Sequence, residues 1–423
     1  MGSKGISPNI DRARDPWTSR TTVLPQPVLA TRRSGLDRVA WASLYAFVFS
    51  IPWEDAFPVL GGLAISRWLG LLSFGLTFIR MLRMGRLRKL SSLHSWMLVF
   101  AAWSAFSIVW SIAPKNTAER AGTYVQLIGM AWAIWELAAD YPRVRRLTQA
   151  YVLGSIVSSV MTTQSAISNR YNSLYRYTAG GFNQNDLGIL LALSIPMSLY
   201  LISRDKGRIR YLYWIQLPLC ITALLLTGSR AAVSTLGVGL IGSLFLVASW
   251  PGRQRIFIAI AAVIMAAVLA YAVPGPTWER VFSIGEEVVD GDMTHRTTIW
   301  AGGMEVFRNH PFVGVGSGAF APAVANLIDN WYVAHNTFIS VLVELGIVGE
   351  LILATWLAAM LFCAMRLPRL DRCLWLTLIL AWAVGVSSGT WEYHKATWFL
   401  FGALAAWVSA AHKEWLIRRP DGL

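Results

Sequence analysis

Long apolar runs, each closed by a short polar or basic stretch, recur along nearly the whole chain. A helix needs roughly 17 to 25 predominantly apolar residues to cross a bilayer. Twelve runs meet that length, so the pattern predicts twelve membrane-spanning helices. They lie near 36–59, 63–82, 94–112, 117–139, 144–167, 186–203, 211–227, 231–250, 256–273, 336–365, 370–388 and 391–411. The expected fold class is therefore all-α, a polytopic integral membrane protein. Residues 1–35 read as a polar, basic tail, disordered by composition, and 413–423 as a second short tail.

One connection breaks the rhythm. Residues 274–334 separate spans nine and ten and carry three Arg against seven Asp or Glu. Within this loop, 297–309 has the spacing of an amphipathic helix. Ile299, Trp300, Gly303 and Phe307 share a face, Thr294 or Thr297 is placed to cap it, and Pro311 to stop it. A loop this long with a helix of its own is usually a cover or a functional element.

Composition agrees with the membrane reading. The chain has 423 residues, 55% hydrophobic and only 14% charged, against about 25% charged in soluble domains. The 21 Trp suit membrane interfaces. The formal net charge of +14 would suggest nucleic acid in a soluble protein. Here the basic residues fall in short runs between apolar stretches, which makes them a topology signal instead. With the N-terminus inside, 27 of the 37 Lys and Arg fall on the inner side and 10 on the outer. Cys220, Cys363 and Cys373 form neither a disulfide framework nor a metal-ligand spacing.

The ten outer basic residues are those that topology leaves unexplained. They are Arg67, Lys115, Arg120, Arg170, Arg176, Arg230, Arg280, Arg296, Arg308 and Lys395. Arg230 stands in Thr227-Gly228-Ser229-Arg230, at a tight turn between two spans. Arg at membrane depth is costly, and its planar fork matches phosphate oxygens. The plainer alternative is a turn Arg that reaches lipid headgroups. His335 stands where the long loop meets span ten. It is either a general base near neutral pH or an interfacial His beside a cap formed by Asn336 or Thr337. Asn183, Asn185 and Asp186 form a polar cluster before span six, read as a turn and helix cap or as part of a site. Glu344 lies about two and a half turns beyond His335, too far to touch it, and suits helix packing or a polar cavity. Glu350 lies in the same span. Asp290-Gly291-Asp292, with Glu286 and Glu287 nearby, has the look of a carboxylate site for a hard cation, a common chance pattern on a loop. His295 and His394 are second-line candidates on the outer side.

Three stretches in this order resemble the O-antigen ligase/polymerase superfamily. The first is Gly181-Phe182-Asn183-Gln184-Asn185-Asp186-Leu187-Gly188, and the second Thr227-Gly228-Ser229-Arg230-Ala231-Ala232. The third runs from Arg296 and Trp300 through His310-Pro311-Phe312-Val313-Gly314-Val315-Gly316 to His335-Asn336-Thr337-Phe338 and Glu344-Leu345-Gly346-Ile347-Val348-Gly349.

The resemblance implies a glycosyltransferase in the bacterial inner membrane, with both termini cytoplasmic and the site facing the periplasm. Its donor would be an undecaprenyl-diphosphate-linked glycan and its acceptor lipid A–core oligosaccharide, with no cofactor and no metal. The family's catalytic His falls on His335 and its motif Arg on Arg230. Arg296 and Arg176 are further candidates for the diphosphate, with Asn183, Asn185, Asn336 and Glu344 as supporting residues. Partners would be these two lipid-linked substrates and membrane lipids, not nucleic acid. An O-antigen polymerase or a protein-glycan ligase of the same fold would share all of this except the acceptor. A transporter for an anionic solute would use the outer Arg set as a vestibule, but it should show repeated halves, and the sequence shows none.

Overall fold

A computed structural model describes residues 34–59, 63–169, 176–282, 296–328 and 331–418. Each of the twelve apolar runs holds a long helix. The first nine are α1 (Gly35–Ser50), α2 (Ile65–Met84), α3 (Ser92–Phe106), α4 (Pro114–Leu137), α5 (Tyr141–Ser168), α6 (Gln184–Arg204), α7 (Ile209–Leu226), α8 (Arg230–Val247) and α9 (Gly252–Ala272). Shorter helices follow in the long loop: α10 (Gly275–Phe282), α11 (Arg296–Asn309) and α12 (Phe320–Ile328). The chain then closes with α13 (Thr337–Met365), α14 (Arg369–Val386) and α15 (Lys395–Arg418). The acidic candidates Glu286, Glu287, Asp290 and Asp292, and also Thr294, His295 and Arg170, lie outside the described residues.

Two ends of the expected spans are corrected. Span one stops at Ser50, and a 3-10 turn follows at Ile51–Trp53. Pro52 supplies no N–H to continue an α-helix. Pro58–Val59 then pairs antiparallel with Leu63–Ala64, a small departure from an all-α chain. The last span begins at Lys395 rather than 391, because Trp391–His394 form a loop that packs over the bundle.

Among the described residues, seven helices are long and apolar enough to cross a membrane by length and composition: α2, α3 with its following turn, α6, α7, α8, α9 and α13. Burial sorts them. Every residue of α6 from Leu187 to Ile202 is buried, and α6 packs against α5, α7, α8 and α14. By contrast α9 exposes Ile256, Phe257, Ile260, Val263, Ile264 and Val268. So continuous an apolar surface is not compatible with water, and lipid is the solvent that accepts it. The chain is a multi-pass helical membrane protein.

The long loop is built into the bundle. Helix α13 is broken at Gly346, whose φ of 66° and ψ of −170° suit glycine alone. A break inside a membrane protein must have its freed backbone groups satisfied. Residues 310–318 do this. Val315 N and Gly316 N donate to the carbonyls of Val343 and Glu344 at 3.1 and 2.8 Å, and Trp103 Nε1 donates to Leu345 O at 3.2 Å. On the other side Ile347 N and Val348 N donate to Pro311 O and Phe312 O at 2.9 and 3.2 Å. The two strands of contact require glycine. A Cβ on Gly346 would sit 2.2 Å from Phe312 O, and one on Gly314 would sit 2.4 Å from Glu344 O. The Glu344 carboxylate completes the seam by accepting from Gly318 N at 2.7 Å and Phe320 N at 3.3 Å. Above it, Ile299, Val306, Phe320, Val324 and Val343 form a small separate core that holds α11 and α12 to α13.

Candidate functional site

His335 is the one described non-glycine residue with positive φ, at 48°. That conformation costs an ordinary residue roughly 1–2 kcal/mol, so neighbouring contacts must impose it. They do so on both sides. Ala334 O accepts from Trp300 Nε1 of α11 at 2.8 Å. Asn336 caps α13, its Oδ1 accepting from Phe338 N and Ile339 N at 2.9 and 3.1 Å. Thr337 Oγ1 donates to Gly389 O at 2.9 Å and accepts from Trp391 N at 2.8 Å. Asn336, rather than Thr337, is therefore the cap, and Thr337 is a staple to the loop between α14 and α15.

The Trp300 bond also brings Arg296 in. Residues four apart share a helix face, so Arg296 stands one turn from Trp300 on the side of His335. The electrostatics agree: burial and the Arg296 charge both hold the His335 imidazole below its ordinary value of 6.5, with Asp186 pulling the other way. The imidazole is thus neutral, and able to accept a proton, across the neutral range.

Asp186 joins this group from α6. Its Oδ1 accepts from Trp391 Nε1 at 2.7 Å, and Trp391 is the residue whose N–H is bound by Thr337. One residue earlier, Asn185 Oδ1 accepts from Arg176 Nη2 at 3.0 Å, while Arg176 Nε donates to Thr227 O at 3.1 Å. Asn183 caps α6 through Asn185 N at 2.8 Å. Ser229 caps α8 through Ala232 N at 3.3 Å, directly before Arg230. Gly188 lets the two helix starts meet, since a Cβ there would fall 2.4 Å from Ala232 Cβ.

The N-termini of α6, α8 and α13 and the start of α11 therefore converge at one end of the bundle. Arg176, Arg230, Arg296 and His335 all sit on this rim. His335 and Arg230 are joined through a chain of contacts: His335 to Asp186 electrostatically, then Asn185, Arg176 and the Thr227–Ser229 turn. Three N-terminal helix ends with several Arg make a strongly anion-attracting rim. Glu344 lies apart from these residues: it accepts from the backbone amides of Gly318 and Phe320 and faces the Arg120 charge.

Residues that sequence reading passed over complete the surroundings. Arg120 of α4 pairs with Glu392 at 2.8 Å and lies over the Tyr393 ring at 3.6 Å. Lys395 Nζ pairs with Glu54 at 2.5 Å and donates to Ser66 at 3.0 Å. Gly181 N donates to Asp55 O at 3.2 Å. Arg120 and Lys395 stand among the ten outer basic residues, so charge bookkeeping gave a signal. Their carboxylate partners lie 272 and 341 residues away, and no local spacing could name them.

Comparison with known proteins finds two likenesses. Residues 217–354 match the family described as O-antigen ligase. That segment holds Arg230, Arg296, His335 and the broken part of α13, and leaves out Arg176, Asn183 and Asn185. The chain is also 23% identical over 301 residues to exopolysaccharide production protein ExoQ of Rhizobium meliloti. The alignment covers 64% of this chain and 65% of ExoQ, a little under two thirds of that relative's length. By these two likenesses the chain is similar to proteins of the O-antigen ligase/polymerase superfamily.

Proposed function

We propose that this protein is a membrane glycosyltransferase that moves a polysaccharide from an undecaprenyl-diphosphate donor onto lipid A–core oligosaccharide at the periplasmic face. The observation that carries the reading is His335, held in a left-handed backbone and kept neutral beside Arg296, on a rim of helix N-termini that also bears Arg230 and Arg176. His335 accepts the proton of the acceptor hydroxyl. That oxygen attacks the anomeric carbon as the bond to the diphosphate breaks, and the diphosphate leaves carrying the electron pair. The attack comes from the face opposite the leaving group, so the anomeric carbon inverts. Charge grows on the leaving phosphate, and Arg230, Arg296 and Arg176 meet it with charge-assisted hydrogen bonds, in the role a metal plays elsewhere. Asn183, Asn185 and Asn336 hold the helix starts, and Glu344 the covering loop. In this reading all twelve long helices cross the membrane, residues 274–334 form a periplasmic cover, and both termini are cytoplasmic.

The likeness to ExoQ, an exopolysaccharide production protein, favours a second reading: a polymerase that uses the same rim and passes the glycan to another lipid-linked glycan. Incubating the purified protein with undecaprenyl-diphosphate glycan, with and without lipid A–core, separates the two. Label moving onto lipid A–core supports the ligase, and chain lengthening without it supports the polymerase. Activity unchanged by EDTA is expected; loss restored by a divalent ion would return Asp290 and Asp292 to the mechanism.

A further inference from the structure

A cavity opens beside the rim and the transfer chemistry above does not use it. It holds 380 Å³ between α1, α2 and α4, and its roof is His394 and Lys395. Its walls are apolar, with Phe47 and Phe74 on one side and Met130 on the other. Two glycines of its lining let these rings pack close to the helices. A Cβ on Gly70 would come 3.2 Å from the Phe47 ring, and one on Gly129 would come 3.0 Å from Phe74.

The polar end carries Arg67, Lys395 and His394 with one carboxylate, Glu54. Lys395 is tied to Glu54 and Ser66 but still borders the cavity. Arg67, one residue past Ser66 on α2, is exposed at the same end, with no hydrogen-bond or ion-pair partner among the described residues. His394 Nδ1 is buried with no hydrogen-bond partner among the described residues. So one end offers the Arg67 guanidinium and a ring nitrogen beside the Lys395–Glu54 pair, and the rest offers hydrocarbon.

The cavity and the His335 rim share one short loop. His394 stacks on Trp391 with ring centres 4.4 Å apart, and Trp391 is the residue that bonds Asp186 and Thr337. Asp186 and the Trp391 ring stand between the two cation groups as a wall.

We propose that this cavity seats the head of a second lipid, one bearing a phosphate, with its hydrocarbon chain along the apolar faces of α2 and α4. An unpaired interfacial Arg above an apolar slot is the chemistry that selects a phosphate-bearing amphiphile. Resting on the transfer proposed above, that lipid is the acceptor, held one loop away from His335.

The test uses the full chain in nanodiscs carrying a trace of diazirine-labelled lipid, either phosphatidic acid or phosphatidylcholine. Crosslinks are mapped by mass spectrometry. Phosphatidic acid should label α2 and α4 about fivefold more than phosphatidylcholine, the scale of one interfacial Arg. Arg67→Gln should remove that preference, Arg67→Lys should retain it, and His335→Ala should leave it unchanged. Equal labelling by both lipids, or indifference to Arg67→Gln, would mean ordinary surrounding lipid and would overturn the proposal. Loss in His335→Ala would show the label reporting the rim, and would overturn a separate seat. Charge-dependent labelling in a protein that transfers no glycan would uphold the seat and remove only its assignment to an acceptor.

Discussion

At the residue scale His335 bears two separable loads, a backbone strain and a proton. Replacing it with Ala should abolish transfer while leaving thermal unfolding in detergent within a few degrees, since its ring takes no part in the seam that holds the loop. Retained transfer would remove it as the base. The proton gives a second, signed expectation. A base whose pKa lies below 6.5 stays active as pH falls, until pH passes through that lowered value. The acid limb of the rate profile should therefore lie below 6.5. Arg296→Gln removes a positive neighbour and should move that limb upward, whereas Asp186→Asn removes a negative one and should move it downward. A limb unmoved by either change would place the titrating group elsewhere. His335 was legible in the sequence by type and position, as were Arg230 and Asn336. Asp186 was legible as one of a polar cluster, a cap or part of a site, but its partner was not. Its bond to Trp391 spans 205 residues, and nothing local announces it.

At the element scale the decisive feature is the break in α13. Residues 336–365 read as one uninterrupted apolar run, and Gly346 carries no local sign of a broken helix. The break exists because residues 310–318 supply partners for the freed backbone groups, and hydrophobic periodicity does not report such long-range pairing. The family-like stretches His310–Gly316 and Glu344–Gly349 pack and hydrogen-bond against each other, with Trp103, Trp110 and Ile112 closing the seam from the neighbouring helix end. Gly346→Ala places a Cβ 2.2 Å from Phe312 O in a conformation only glycine favours. It should cost more than about 3 kcal/mol, read as a marked fall in melting temperature and new protease cleavage within 310–320. Glu344→Ala removes the acceptor for Gly318 N and Phe320 N, each bond worth about 1.5–3 kcal/mol, and should loosen the same segment. A segment as protease-resistant as the parent in both variants would contradict the seam.

At the scale of the whole molecule, the apolar pattern located all twelve long helices to within a few residues, apart from the ends of the first and last spans. Their placement was legible because each must bury or offer to lipid a run of apolar side chains, a local property of sequence. The packing order, with α6 at the centre and α9 on the outside, was not, since both runs are apolar and only their partners differ. The proposed twelve crossings make a sided prediction. After the three native cysteines are replaced by alanine, Lys115→Cys should react with an impermeant thiol reagent added from the periplasm. Lys206→Cys should react only once the membrane is opened. Both positions are exposed. The same side for both would break the alternation.

The convergence of His335 and the arginines on one rim is tested most directly by glycan transfer with purified protein. Undecaprenyl-diphosphate glycan and lipid A–core are supplied to the parent, His335→Ala and Arg230→Ala, with each protein's fold checked by its melting temperature. Labelled lipid A–core should form with the parent alone, and both variants should remain folded. Product from either folded variant at the parent's rate, or glycan remaining on the donor in every case, would contradict it.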